Sequence, residues 1–158
     1  MSRQSREELA AEVIDRVRRH QIAQDAFDEA ATARLGVNRT DGRCLDIIDR
    51  LGPITAGDLA RESGLSTGAV TTLVDRLERR GYVRRVRDTE DRRRVFIELT
   101  DELRARAWEI WGPLAGLSDQ FLGRHSDADL GVLRDFLQAA CEVLDEHAAR
   151  VRALPPRD

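Results

Sequence analysis

Apolar residues recur along this chain first at helical spacing, then briefly at alternate positions, then at helical spacing again. Between Arg6 and Leu35 there is no proline or glycine, and Val13, Val17, His20, Gln24, Phe27 and Ala31 fall near one face, which predicts a long first helix. The stretch LGVNRTDG, residues 35–42, breaks it. Thr40 is then the expected cap of a shorter helix whose Cys44, Ile47, Ile48 and Leu51 lie at i, i+3, i+4 and i+7, and Gly52-Pro53 ends that helix.

Thr55 followed by Asp58 resembles a capping box, so a third helix starts there with Leu59 and Ala60 turned inward. Gly64 supplies a turn and Leu65 its apolar plug. Ser66 caps a fourth helix, in which Val70, Leu73, Val74 and Leu77 repeat the helical spacing before Gly81 ends it. A short helix, a glycine turn and a longer helix make a helix-turn-helix. From Tyr82 to Arg87 and from Val95 to Leu99 the period falls to two, and the charged stretch between them has the length of a hairpin tip. A hairpin directly after a helix-turn-helix defines a winged helix.

Thr100 caps a fifth helix through Leu103, Ala107, Ile110 and Leu114, carrying Trp108 and Trp111, which Gly112-Pro113 is expected to kink rather than end. Ser126 and Asp129 form another capping box. The last helix has one apolar face of Leu130, Leu133, Leu137, Cys141 and Leu144 and another of Val132, Phe136 and Val143. Two apolar faces need two partners, so the terminal helices are expected to pack between subunits. The predicted fold is mainly α with a small β-hairpin wing, a winged helix-turn-helix core flanked by N- and C-terminal dimerisation helices. Its expected divisions are residues 1–38, 39–100 and 101–158.

Composition narrows the classes. Charged residues make up 35% of the 158 and aromatics 4%, as in long helices with charged outer faces. No apolar run approaches the roughly 18 residues of a membrane span, and MSRQSREELA lacks the apolar core of a secretory signal, so cytoplasmic residence without membrane contact is expected. Two distant cysteines, Cys44 and Cys141, and three scattered histidines fit no disulfide framework or metal site. No nucleophile–base pair or phosphate loop suggests an enzyme, and no cofactor is implied.

Charge is distributed unevenly. The net charge is −3, yet residues 50–100 carry 11 basic groups against 8 acidic ones, and nine arginines lie between Arg76 and Arg94. All 26 basic residues are arginine, a uniform preference that reflects a GC-rich coding genome more than a site. A basic centre in an acidic chain still provides a patch for a polyanion.

The second helix of a helix-turn-helix brings its N-terminal residues to base edges in the major groove. Here these are Ser66, Thr67, Gly68, Ala69, Thr71 and Thr72, small or hydroxylated, with Arg76 the expected reach to a phosphate or guanine. In the wing, Arg85, Arg87, Arg92, Arg93 and Arg94 are candidates for the minor groove, with Asp91 orienting one of the last three, Arg94 or Arg93 foremost, by an ion pair.

Residues 54–104, ITAGDLARESGLSTGAVTTLVDRLERRGYVRRVRDTEDRRRVFIELTDELR, resemble the DNA-binding core of the MarR (multiple antibiotic resistance regulator) family. The family's wing motif reads D-x-x-D-R-R, then an alternating strand and L-T, positions held here by Asp88, Asp91, Arg92, Arg93, Leu99 and Thr100. The resemblance implies a homodimer on a pseudo-palindromic operator in double-stranded DNA, acting as a repressor. Thr72 departs from the long side chain, often arginine, that relatives carry there. By the same carry-over a small aromatic or phenolic ligand would lie against His20, Gln24, Phe27, Cys44, Ile48, Trp108 and Trp111, residues that core filling explains equally well. Cys44, on an apolar face, is expected to be an inert buried thiol. The competing class is a winged-helix module that binds a protein partner rather than specific DNA.

Overall fold

The computed structural model describes residues 5–91 and 93–155. Helix α1 (Arg6–Leu35) begins at a reciprocal capping box between Ser5 and Glu8 and ends at Gly36, whose φ of 67° is a left-handed conformation that glycine adopts without strain. Helix α2 (Arg39–Leu51) is capped by Asn38, whose side chain accepts the Asp41 N–H at 2.8 Å. The predicted cap, Thr40, lies inside the first turn, because Asn38 is the residue with the extended backbone that a cap requires.

Strand β1 (Ile54–Thr55) leads into α3 (Ala56–Ser63), whose cap Thr55 accepts from Asp58 N–H. Gly64, at φ 73°, turns the chain toward Ser66, the cap of α4 (Thr67–Arg79). Gly81, also at φ 73°, reverses it into β2 (Val83–Arg87), and β3 (Val95–Leu99) returns. The sheet is antiparallel with order β1-β3-β2, Ile54 opposite Ile97 and Val83 opposite Leu99. A two-residue strand is too short to show a period, so β1 was not predictable from alternation. Thr100 donates its hydroxyl to the Gly81 carbonyl and accepts the Leu103 N–H, which joins the sheet to α5 (Asp101–Leu122).

The winged-helix core contains most of the apolar positions predicted from spacing. Leu59, Val70, Leu73, Val74 and Leu77 face Cys44, Ile48, Val83, Ile97 and Leu99. Full burial of each leucine or valine contributes about 1.5–3 kcal/mol. Leu51, expected on that face, is exposed instead, being the last residue of α2. Tyr82 is buried, and its hydroxyl donates to the Leu35 carbonyl at 2.7 Å, tying the end of α1 to the wing.

The chain divides between Ile110 and Trp111 into two compact units, the first holding α1 to β3 and the start of α5. The second contains the rest of α5, which continues through Pro113, and α6 (Asp127–Arg152), capped reciprocally by Ser126 and Asp129. None of the α6 side chains is buried, and Val132, Phe136, Leu137 and Leu144 all lie open. No helix among the described residues is long and apolar enough to cross a membrane.

Candidate nucleic-acid interface

At 100° per residue, α4 separates two faces. Val70, Leu73, Val74 and Leu77 enter the core, and Thr67, Gly68, Thr71, Thr72, Asp75 and Arg79 form the exposed one. The outward side chains are short, and two have committed hydroxyls. Thr71 donates to the Thr67 carbonyl at 3.0 Å and Thr72 to the Gly68 carbonyl at 3.1 Å. Ser66 and Ala69 sit at the exposed start, where Ser66 Oγ accepts the Ala69 N–H.

Arg76 is not on that face. Adjacent in angle to the buried Leu73, it turns back to Asp41 on α2, donating Nε at 3.0 Å to Oδ2 and Nη2 at 2.5 Å to Oδ1. Asp41 is only 3% exposed, and its hydrogen bonds hold the Arg76 guanidinium above its ordinary pKa. Asp41 thus competes for the guanidinium that was expected at a phosphate or guanine, and the pair holds α4 by its flank to α2. Arg80, one turn on, donates to the Gly36 carbonyl at the end of α1. Asp41 was missed in the sequence, although it forms the apolar i, i+3, i+4, i+7 stripe of Cys44, Leu45 and Ile48. An acid on a core-facing stripe signals a buried partner. Arg79 was also passed over, although it is in line with Gly68 and Thr72.

Arg85, predicted to touch DNA, joins the wing to α4. It pairs with Asp75 at 2.6 Å and with Glu78, and its backbone N–H donates to Glu78 as well. Burial works against its charge, but the two carboxylates outweigh that and raise its pKa. Arg84 pairs with Glu98 across the hairpin.

At the tip, Asp88 N–H donates to the Arg94 carbonyl and Arg94 N–H to the Asp91 carbonyl. Asp91 Oδ1 accepts the Arg93 backbone N–H at 3.0 Å, and Asp88 Oδ1 accepts that of Glu90. Asp91 thus shapes the turn through the backbone, and among the described residues it does not pair with Arg93 or Arg94. A carboxylate two residues before an N–H closes a local ring more readily than it captures a long, solvated guanidinium. Arg94 stacks over Phe96, 5.0 Å from the ring centroid, and Arg87, Arg93 and Arg94 are all exposed. Arg92 lies outside the described residues.

The residues expected around a ligand differ in exposure. Cys44 and Ile48, 0% and 1% exposed, belong to the core, since their face of α2 packs on α3 and the sheet. Burial raises the Cys44 pKa, outweighing the hydrogen bond with Ser63 and the pull of Arg43. His20 and Gln24 are exposed on α1, where Gln24 donates to Asp28, and Phe27 is half-buried. Trp108 is 71% exposed, and Trp111 belongs to the second unit. A cavity in the first unit is lined by Ile48 together with Gly52, Pro53, Arg84, Glu98, Leu99, Asp101 and Arg104. Among the described residues no group of three histidines, cysteines or acids is placed to hold a metal.

A helix with a short-chained outer face, stapled to a wing with exposed arginines at its tip, defines a winged helix-turn-helix protein. Residues 37–95 match the sequence profile of the MarR family. An uncharacterized HTH-type transcriptional regulator of Bacillus subtilis, YcgE, is 34% identical over 151 residues, which cover 96% of this chain and 98% of that protein. The chain belongs to the MarR family, whose members are DNA-binding transcriptional regulators and not enzymes. Its fold is shared with a MarR family protein from Bacillus stearothermophilus, with a TM-score of 0.63 at 22% identity, covering 90% of this chain and 99% of that one. It is similar also to Streptococcus pneumoniae FabT in complex with DNA, with a TM-score of 0.60 at 21% identity, covering 84% and 98%.

Proposed function

We propose that this protein is a homodimeric repressor that binds a pseudo-palindromic operator, with α4 in the major groove and the wing tip in the adjacent minor groove. The observation that carries this reading is the exposed face of α4. It is free of long side chains over its first two turns and is followed by a wing whose Arg87, Arg93 and Arg94 are open to solvent. Such a face fits against base edges, and such a tip fits the strong negative potential of a narrow minor groove. The FabT complex with DNA supports the assignment by likeness of fold.

Homodimerisation is supported by the open apolar residues of α6 and of α1, among them Leu9, Ile14 and Ile22, which would be costly to leave in water. Residues 1–38 and 101–158 form the dimerisation region and 39–100 the DNA-binding region in this reading. Two recognition helices about 34 Å apart then engage half-sites one turn apart. Release by a small aromatic anion acts through a preference for a different spacing. The candidates that remain accessible to such a ligand in the first unit are His20, Gln24, Phe27 and Trp108. The protein works where the DNA is, in the cytoplasm.

The test is selection of genomic fragments by the purified protein at two salt concentrations, with its mass measured in solution. The expected result is a dimer recovering an inverted repeat, with log affinity falling steeply against log salt. A monomer, or a shallow salt dependence without sequence enrichment, would move the assignment to a protein-binding winged helix.

A further inference from the structure

We propose that Thr71 and Thr72 read the 5-methyl groups of thymines in each half-site, so that the recognition helix selects its sequence by methyl contact rather than by arginine. This rests on the reading of α4 as the major-groove element. It goes beyond it by naming the chemical feature of the base that is recognised.

Each threonine Cβ carries a hydroxyl, a methyl and a hydrogen. With both hydroxyl hydrogens donated to carbonyls four residues back, the methyls are the groups these exposed side chains keep for an outside surface. A guanine edge offers only acceptors in the major groove and needs a donor opposite it. These two side chains have no donor left to give. The usual donor is a guanidinium, and the fold turns the nearest ones aside: Arg76 faces Asp41 and Arg80 the Gly36 carbonyl. Arg79 does share the outward face, but it stands seven residues beyond Thr72, about 10 Å along the axis, where phosphates flank the groove. Its Nε is turned to the Asp75 carbonyl.

Gly68 provides an independent observation. It lies beside Thr71 and Thr72 on the same face, and a Cβ built there would meet no atom within 4 Å. It has no positive φ. It stands in the first turn of α4, and neither its backbone nor a close contact among the described residues requires glycine here. Its absent side chain leaves room for a surface from outside to approach the backbone, which brings the neighbouring methyls into contact range.

The test uses the half-site recovered by selection, with each thymine replaced in turn by deoxyuridine, which removes the methyl and keeps every hydrogen-bonding group. The expected result is a loss of about fourfold in affinity at one or two positions, the worth of one buried methyl. A Thr71→Ser/Thr72→Ser double variant, which keeps both hydroxyls, should bind thymine and deoxyuridine sites alike. Undiminished binding to every deoxyuridine site would overturn the methyl assignment while leaving DNA binding intact. So would a double variant that still distinguished the two bases as the parent does. Failure of the parent protein to enrich any sequence would overturn both this proposal and the reading it rests on.

Discussion

Replacing Arg76 by alanine separates a clamp from a DNA contact. Asp41 would remain in place, nearly without solvent and with no cation to answer its charge. Breaking a buried pair by removing one partner costs about 3–5 kcal/mol. The Arg76 side chain keeps 37% of its exposure, so water already weakens the pair, and a loss of about 2–3 kcal/mol is expected. For a chain of this length that lowers the thermal midpoint by roughly 5–10 °C. Asp41→Asn should lose part of this, and the Asp41→Asn/Arg76→Ala double variant should be less unstable than the sum of the singles, because each already breaks the pair. The assay is urea or thermal unfolding by circular dichroism, paired with DNA binding over a range of salt. A phosphate-bound arginine contributes about 0.9 to the slope of log affinity against log salt. A clamp contributes none, so the slope should be unchanged in Arg76→Ala even where affinity falls. A slope reduced by about one, with an unfolding midpoint like that of the parent, would refute the clamp and restore Arg76 to the DNA.

Further outcomes follow from other positions. Gly68→Ala should leave the free protein at least as stable in unfolding experiments, since the added methyl meets nothing, and should weaken DNA binding by crowding the approach. Arg94→Ala should reduce the salt slope by about 0.9 and leave stability nearly unaltered, because its side chain is exposed; an unchanged slope would take the wing tip off the DNA. Asp58 and Asp129 have pKa values below the ordinary 3.8, held down chiefly by the hydroxyls of Thr55 and Ser126. Their contribution to stability is therefore complete above the unfolded value and is lost as pH falls through the folded one. Unfolding curves below pH 4 should accordingly be less pH-dependent in an Asp58→Asn/Asp129→Asn variant. Cys44 should resist iodoacetamide until the core unfolds, as read by mass spectrometry.

What the sequence determined by itself is local. The bounds of α1, the caps Ser66, Thr55 and Ser126, the span of β3 and the inward stripe of α4 all follow from interactions reaching no further than a few residues. Periodicity and capping record such interactions directly. The helix-turn-helix was legible for the same reason, whereas the wing motif was legible through its resemblance to the family. A step of 100° per residue also places Arg76 beside Leu73 and Arg79 beside Thr72, so part of the face was readable before any coordinates.

The destinations of the long charged side chains were decided only by tertiary structure. Arg76 finds Asp41 from 35 residues away, Arg80 finds Gly36 from 44, and Arg85 turns from the wing to Asp75 and Glu78. β1 exists only because β3 lies beside it. Cys44 and Ile48 went to the core because the face of α2 that carries them had α3 and the sheet to pack against. An arginine reaches several partners by rotating its side chain, and which of them it meets depends on where the fold has removed water from a carboxylate. Spacing along the chain does not contain that information.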